Sequence, residues 1–574
     1  MSWVRSRSKW HGCRFCDKRD SVNRLYFGDN LGWLRNTKEF PDASVDLVYL
    51  DPPFNSNADY NVLFRGPSGQ VIQAQFHAFT DTWSWADAAD TYHAFIDNCP
   101  NVAVVELMEA LHSFLKHSPM MAYLAMMAPR LVELHRVLKE TGSLYLHCDP
   151  TASSYLRLLL DGTFGAENLR NEVIWKRTIA KGLMSKRLPR NHDIILSYQK
   201  TSAASWNEDD VFQPYDEQNL DEKTAGKYCH RDADGRIYRL DSLINPNPNR
   251  PNLTYEFLGV TRVWRWTKER MQKAYEAGLV VQTKPGTVPQ GKRYLDEQRG
   301  RPLDDVWSDI APLNSQAIER LGYPTQKPLV LLERIIRLAT NPDDVVLDPF
   351  CGCGTTIHAA QKLGRQWIGI DITYLAINLI KRRLKDAFGE EIEFEEKGQP
   401  TDFESSKRLA ELDKFQFQHW ALSLIGARPL KEGEGKGADR GVDGLLYYYE
   451  TERKDLLNRI KEDAPAVRND PVHREKIIVQ VKGGGVNRGD VENQKAAGGV
   501  LITLEKPSKQ MRTEAADAGR FTSKLWHDKD YPRIQILTVE GLLNGTERVD
   551  APPQLNPFAM AARESIREKQ AEML

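Results

Sequence analysis

The tetrapeptide Asp51-Pro52-Pro53-Phe54 follows an apolar run, 45–50, that reads as a buried parallel strand. In open α/β sheets, ligands bind beyond the carboxyl ends of strands, so a carboxylate placed there faces a cleft. Two prolines forbid a following helix and stiffen the turn. The Asp51 carboxylate and the neighbouring carbonyls then become fixed acceptors. They can take both hydrogens of an amino group and leave its lone pair aimed elsewhere. Phe54 offers a face on which a flat base stacks. Taken alone, the tetrapeptide suits a plain surface turn after a strand equally well.

A second strand, 345–347, runs into Asp348-Pro349-Phe350-Cys351-Gly352-Cys353-Gly354-Thr355-Thr356, and the strand after the next helix ends at Asp371. Glycines let the backbone approach a ligand, and the helix N-terminus that follows favours negative groups. An acidic residue ending the next strand suits a ribose diol. There is no G-x-G-x-x-G, and Asp348 would repel a pyrophosphate crossing the turn. A ligand with an ammonium and a ribose fits better, and S-adenosylmethionine is the obvious one. The competing account is a tight strand-to-helix turn with core glycines. Cys351 and Cys353 read as small packing residues rather than metal ligands.

A third constellation lies near the C-terminus. Asp443-Gly444 precedes the strand-like run 445–449, and 476–483 reads Lys-Ile-Ile-Val-Gln-Val-Lys-Gly. Alternation puts Gln480 and Lys482 on one strand face. Asp443, Gln480 and the intervening carbonyl could hold Mg²⁺, with Lys482 stabilising charge on a phosphate and hydroxide. A turn followed by a half-buried edge strand explains the same spacing equally well. Near the N-terminus, Cys13-Arg14-Phe15-Cys16 is half of a zinc site, with His11 as a third ligand. No second pair follows at zinc-finger spacing, so zinc is left out of the expected cofactors.

The elements that must position these groups fall into blocks. Residues 22–170 and 321–390 alternate strand-like and helical segments, while 171–320, between them, is rich in Pro, Asn, Tyr, Trp and basic residues. The irregular block therefore reads as an insertion into one sheet domain. Residues 1–21 form an N-terminal extension, 391–412 a charged linker, and 413–574 a further α/β region. Over 574 residues, hydrophobic side chains make up 41% and charged ones 27%, which argues against wholesale disorder. No apolar run reaches the ~18 residues of a membrane span. The basic N-terminus lacks the apolar stretch of a signal peptide, and seven cysteines are too few for a disulfide scaffold, so the cytoplasm is expected. Lys plus Arg is 78 against 79 for Asp plus Glu, a net charge of −1. That balance removes any whole-chain argument for a polyanionic partner but not a local one. Residues 171–200 carry seven basic side chains against Glu172 and Asp193, a surplus of +5 suited to phosphates.

The order of the first two motifs resembles the β class of DNA amino-methyltransferases, over residues 22–390. It is carried by Gly28-Asp29-Asn30, DPPF at 51–54, YPTQKP at 323–328, DPFCGCGTT at 348–356 and GIDI at 369–372. Trp264-Arg265-Trp266 and Asp305-Val306-Trp307-Ser308-Asp309 are familiar from type III modification subunits. The resemblance implies a Rossmann-like S-adenosylmethionine-dependent sheet domain with an inserted target-recognition domain. It implies that Asp51 and the Pro52 carbonyl, stiffened by Pro53, hold the target amine while Phe54 stacks on a flipped base. It assigns Asp348, Phe350, Gly352, Gly354, Thr355 and Asp371 to the cofactor, Lys327 to its carboxylate and Asp29 to its adenine. The DPPF spelling favours adenine N6, since cytosine N4 enzymes more often begin with Ser. In the middle block, Arg250, Arg262, Arg265, Arg293 and Arg301 interleave with Tyr255, Trp264, Trp266 and Tyr294, as expected of a DNA reader.

Residues 413–545 resemble the Mrr-like restriction endonucleases of the PD-(D/E)xK fold, a smaller α/β domain. The resemblance rests on Phe415-Gln416-Phe417-Gln418-His419-Trp420, on GADRGVDG at 437–444 and on IIVQVKGG at 477–484. Two departures stand out. Gln418 occupies a place often held by Glu, and the 39 residues from Asp443 to Lys482 exceed the usual gap. The expectation is a DNA N6-adenine methyltransferase acting on double-stranded DNA, a homodimer off the membrane, fused to a Mg²⁺-dependent endonuclease, in restriction–modification or phage defence. An N4-cytosine methyltransferase, a mainly nucleolytic protein whose methyltransferase part reads DNA state, and a non-cleaving C-terminal clamp are the alternatives.

Overall fold

The structure is a computed structural model. It describes residues 23–53, 85–178, 188–313 (except 216, 218 and 219), 317–389 (except 318, 322 and 324), 391–429, 442–449, 474–481, 496–523 and 529–552. Phe54, Lys482, Cys13 and Cys16 lie outside these residues. The described chain divides into two compact units, one of residues 207–304 and one of the remainder.

The larger unit is built on a nine-stranded sheet. Its spatial order is Val306–Trp307, Leu169–Trp175, Asp193–Gln199, Leu138–Cys148, Val45–Leu50, Val345–Asp348, Gln366–Asp371, Arg24–Phe27 and Glu395–Lys397. From Leu138–Cys148 onward every pairing is parallel, while Asp193–Gln199 runs antiparallel to both neighbours. Val45–Leu50 is buried along its whole length, as a central parallel strand must be. The one acid in that strand, Asp46, accepts from Val345 N–H (2.9 Å) and from Lys139 (2.7 Å). Its cost of burial is thereby offset, and the two motif-bearing strands are pinned in register. Helix Pro119–Val137, capped by Ser118 with Pro119 at its start, buries twelve residues beneath the sheet.

Two boundaries differ from those read in the sequence. The compact middle unit spans 207–304, not 171–320, because Leu169–Trp175 and Asp193–Gln199 on one side and Val306–Trp307 on the other pair into the main sheet. The charged segment 391–412 is no linker either. Glu395–Lys397 adds an edge strand beside Arg24–Phe27, and Phe403–Leu412 is a helix with a capping box at Asp402 and Ser405.

The unit 207–304 has its own small core around Trp264, Phe257, Val260, Met271 and Val280, over a four-stranded sheet and shorter strand pairs. Trp264 is fully buried, with its ring N–H donating to the Tyr255 carbonyl.

The C-terminal residues form a five-stranded sheet in the order Arg428–Pro429, Gly444–Tyr449, Arg474–Val481, Gly498–Thr503, Ile534–Thr538. The expected hairpin is present, with Leu445 opposite Ile478, and the last two pairings are parallel.

Candidate active site

Val346 and Leu347 pair with Leu47 and Val48. Adjacent parallel strands therefore deliver Asp51 and Asp348 to the same sheet edge, although the motifs stand far apart in the chain. Asp371 ends the next strand over, with Asp348 beside Gly369. Three carboxylates thus line one row of strand ends, at the reversal of strand order where α/β sheets bind ligands.

The Gly-rich turn is shaped by its neighbours. Gly352 and Gly354 have φ of +48° and +74°, a region that favours glycine. A Cβ on Gly354 would also lie 2.7 Å from Ile380. Asp371 holds the turn: its carboxylate accepts from Gly352 N–H (2.9 Å), Thr373 N–H (2.9 Å) and the Thr373 hydroxyl (2.9 Å). Burial nonetheless pushes its pKa up from 3.8 to about 6. Asp348, 2% exposed, accepts from Phe350 N–H (3.0 Å), and burial raises it to about 7. Two carboxyls made costly to ionise by burial suit a cationic ligand, which would restore their charge.

Lys327, expected beside a cofactor carboxylate, meets Asp51 in this structure. Its ammonium donates to the Asp51 carboxylate, and both side chains are largely buried. The Asp51 carboxylate is therefore already holding an ammonium. Tyr323, four residues earlier, lies against the Gly-rich turn, with its ring 3.3 Å from where a Gly352 Cβ would stand. Tyr323 and Lys327 so bring one segment against both motifs.

Asp29, expected near the cofactor adenine, has protein partners here. It caps helix Asn30–Leu34 and pairs with Arg130 at 2.5 Å. Its neighbour Asn30 makes the connection to the turn, donating to the Pro349 carbonyl (2.7 Å) while accepting from Arg130 (2.6 Å). Thr355 gives its hydroxyl to the buried Arg383 (3.0 Å), which also donates to His358 (3.1 Å) and the Cys353 carbonyl (3.2 Å). Cys351 and Cys353 are buried in this packing, as expected, and among the described residues no cluster of three or more His, Cys, Asp or Glu could hold a metal.

Sequence reading missed a chain of polar groups beneath Asp51. The Tyr49 hydroxyl meets His147 Nδ1 (3.0 Å), His147 Nε2 meets Asp193 (3.2 Å), and Arg177 reaches Asp193 (3.2 Å). Histidine 147 and Asp193 are almost wholly buried, and the hydrogen bond from His147 and the charges around it hold Asp193 below the usual carboxylate range. The signal was a histidine inside an otherwise apolar strand, Leu-Tyr-Leu-His. Arg130, a lone cation in the apolar helix 120–134, was a similar signal.

In the C-terminal sheet, Asp443 sits one residue before Gly444, which pairs with Val479, so it stands beside Gln480. The Asp443 carboxylate accepts from Val481 N–H (2.6 Å), and burial raises its pKa to about 7.

A family model described as DNA methylase, covering the N6 and N4 methyltransferases, matches residues 45–382. The chain belongs to the DNA methylase family. It is 30% identical over 266 residues to a type II methyltransferase, M.EcaI of Enterobacter cloacae, covering 46% of this chain and 57% of that protein. It is 26% identical over 362 residues to the Mod subunit of the type III restriction-modification enzyme StyLTI of Salmonella typhimurium, covering 61% of this chain and 51% of that protein. The chain thus spans between half and three-fifths of the length of these relatives. Among solved structures, the M1.HpyAVI–SAM complex is 17% identical and covers 63% of this chain and 99% of its own, with a TM-score of 0.29. A score that low carries no argument. Among the described residues of this family member, no helix is long and apolar enough to cross a membrane.

Proposed function

We propose that this DNA methylase transfers a methyl group from S-adenosylmethionine to the N6 amine of adenine in double-stranded DNA, within a restriction–modification or defence system. The observation that carries the reading is the direct pairing of the Asp51 strand with the Asp348 strand, which puts an amine acceptor beside a Gly-rich cofactor turn. Asp348, Asp371 and the backbone of Gly352 and Gly354 would bind the cofactor, with Phe350, Thr355 and Asn30 shaping the turn.

An exocyclic amine is a poor nucleophile because its lone pair is delocalised into the ring. Hydrogen bonds from its two N–H groups to Asp51 and the Pro52 carbonyl localise that pair and aim it at the methyl. S-adenosylmethionine would supply the methyl on a sulfonium, the new N–C bond replacing the S–C bond given up to a departing thioether, and Asp51 or solvent would take the proton shed by the amine. Lys327 must first release Asp51, and a cofactor carboxylate is a fitting new partner for its ammonium. The base has to be extruded from the duplex, which costs a few kcal/mol. Incubating the protein with labelled cofactor and DNA, then digesting to nucleosides, tests the assignment. N6-methyladenine is expected, and N4-methylcytosine in its place would transfer the reading to cytosine.

For the C-terminal sheet the reading is a Mg²⁺-dependent endonuclease of the Mrr-like kind. The placement of a half-buried Asp443 beside the buried Gln480 favours it. These two would hold the ion, which would supply an activated water, and Lys482 would face the phosphate. Plasmid cleavage with Mg²⁺, lost in Asp443→Ala, is the expected outcome. A wild type that binds but never cuts DNA makes the sheet a clamp.

A further inference from the structure

Gln416 lies beyond the stretch matched by the family, which ends at residue 382. It nevertheless reaches the cofactor side of the sheet. Its Nε2 donates to the Ile372 carbonyl at 3.1 Å, and the side chain is 6% exposed. Ile372 is the link between Asp371 and Thr373, whose N–H and hydroxyl both fix the Asp371 carboxylate. The next residue, Tyr374, is fully buried in an apolar cluster with Phe417, Trp420, Val479 and Val500, all from the C-terminal region. Tyr374 also stacks at 3.7 Å on Phe27, which pairs with Asp371 across the sheet. Gln416 itself is held at the start of helix Lys414–Leu424, its N–H donating to Asp413 (3.1 Å).

We infer that Gln416 is a positioning residue for the ligand held at Asp371, and that through Gln416 and Tyr374 the C-terminal sheet and the cofactor site are energetically coupled. The inference rests on the reading of that ligand as S-adenosylmethionine. The peptide 371–374 cannot shift without disturbing both the acceptor row and the C-terminal core. Coupling of this kind is reciprocal: if the C-terminal packing tightens cofactor binding by some factor, the cofactor tightens that packing by the same factor. A cofactor-dependent response of the C-terminal region needs no further device.

Titrating S-adenosylmethionine into the full-length protein by calorimetry tests this. Loss of one buried hydrogen bond predicts about three- to tenfold weaker binding for Gln416→Ala. Leu412→Ser, at an exposed position in the preceding helix, should bind as wild type does. Gln416→Glu keeps the size of the side chain while setting a carboxylate against the Ile372 carbonyl, so it should also weaken binding. Reciprocity is read by hydrogen exchange. Saturating cofactor should slow exchange in Gly498–Thr503 of the wild type and do so less in Gln416→Ala. Wild-type affinity in both Gln416 variants, or C-terminal amides indifferent to cofactor in the wild type, would overturn the inference alone. A wild type that binds no S-adenosylmethionine would overturn the reading of the site and this inference with it.

Discussion

The two sheets of the larger unit each carry aspartates whose pKa burial raises, Asp348 and Asp371 in one and Asp443 in the other, yet they are built differently. At the nine-stranded sheet, Asp51, Asp348 and Asp371 come from three neighbouring strands. Each has a partner: Lys327, Phe350 N–H, and Gly352 with Thr373. At the five-stranded sheet, Asp443 accepts one described hydrogen bond, from Val481 N–H. The first row is assembled from parts far apart in sequence, whereas Asp443 meets its partner across a single strand pairing. Acceptors fixed in place before a substrate arrives favour the methyl-transfer reading, once Lys327 has left Asp51.

The largest expected effect separates the sites outright. Asp51→Ala should lower methyl transfer by about 10²–10³-fold or more, in line with loss of a preorganised acceptor, as measured by incorporation of labelled methyl into DNA. Next, Asp51 should bind an incoming amine only after Lys327 leaves. Lys327→Gln should therefore raise the KM for cofactor about tenfold, while a variant with wild-type KM would mean that Lys327 never meets the cofactor.

A pH effect of intermediate size follows from the raised carboxyls. In the folded chain Asp348 and Asp371 keep a proton up to about pH 7 and 6, where the unfolded chain has already lost it near 3.8. The native state then binds more protons than the unfolded state, so stability falls as pH rises through that window. Melting temperatures should drop from pH 5 to 8, and Asp348→Asn, which never ionises, should flatten the slope. Cofactor affinity should move the other way, rising over the same range as the carboxyls ionise. The smallest effect sharpens the contrast from the other side: adding Mg²⁺ should raise the melting temperature of the wild type by a few degrees but not that of Asp443→Ala, if Asp443 holds the ion.

Much of the catalytic sheet was legible because strand ends followed by Pro-Pro or by glycines are local signals. VDLVYL-DPP and VVLD-PFCGCG announce strand, turn and acid within ten residues. Long-range partners were not legible. Nothing local in Asp29 or Lys327 tells that one turns to Arg130 and the other to Asp51, since both choices depend on which strands become neighbours. The middle block shows the same limit. Its aromatic–arginine interleaving reads as a DNA-recognition block, yet Trp264 is the buried centre of a small core. The unit 207–304 also carries as many acidic as basic side chains, sixteen of each. Of the basic side chains in 171–200, Lys176, Arg177 and Lys200 lie beside strands of the main sheet, with Arg177 tied to the buried Asp193. Charge counted along the sequence located a basic segment without telling which unit would carry it.

The central claim is that pairing of the Asp51 and Asp348 strands builds a DNA amine methyltransferase. Sequencing DNA from cells that express the wild type or Asp51→Ala, with modified bases called, tests it most directly. The account predicts N6-methyladenine at one recurring sequence with the wild type and none with Asp51→Ala. DNA unmodified by the wild type, or modified equally by Asp51→Ala, would contradict it.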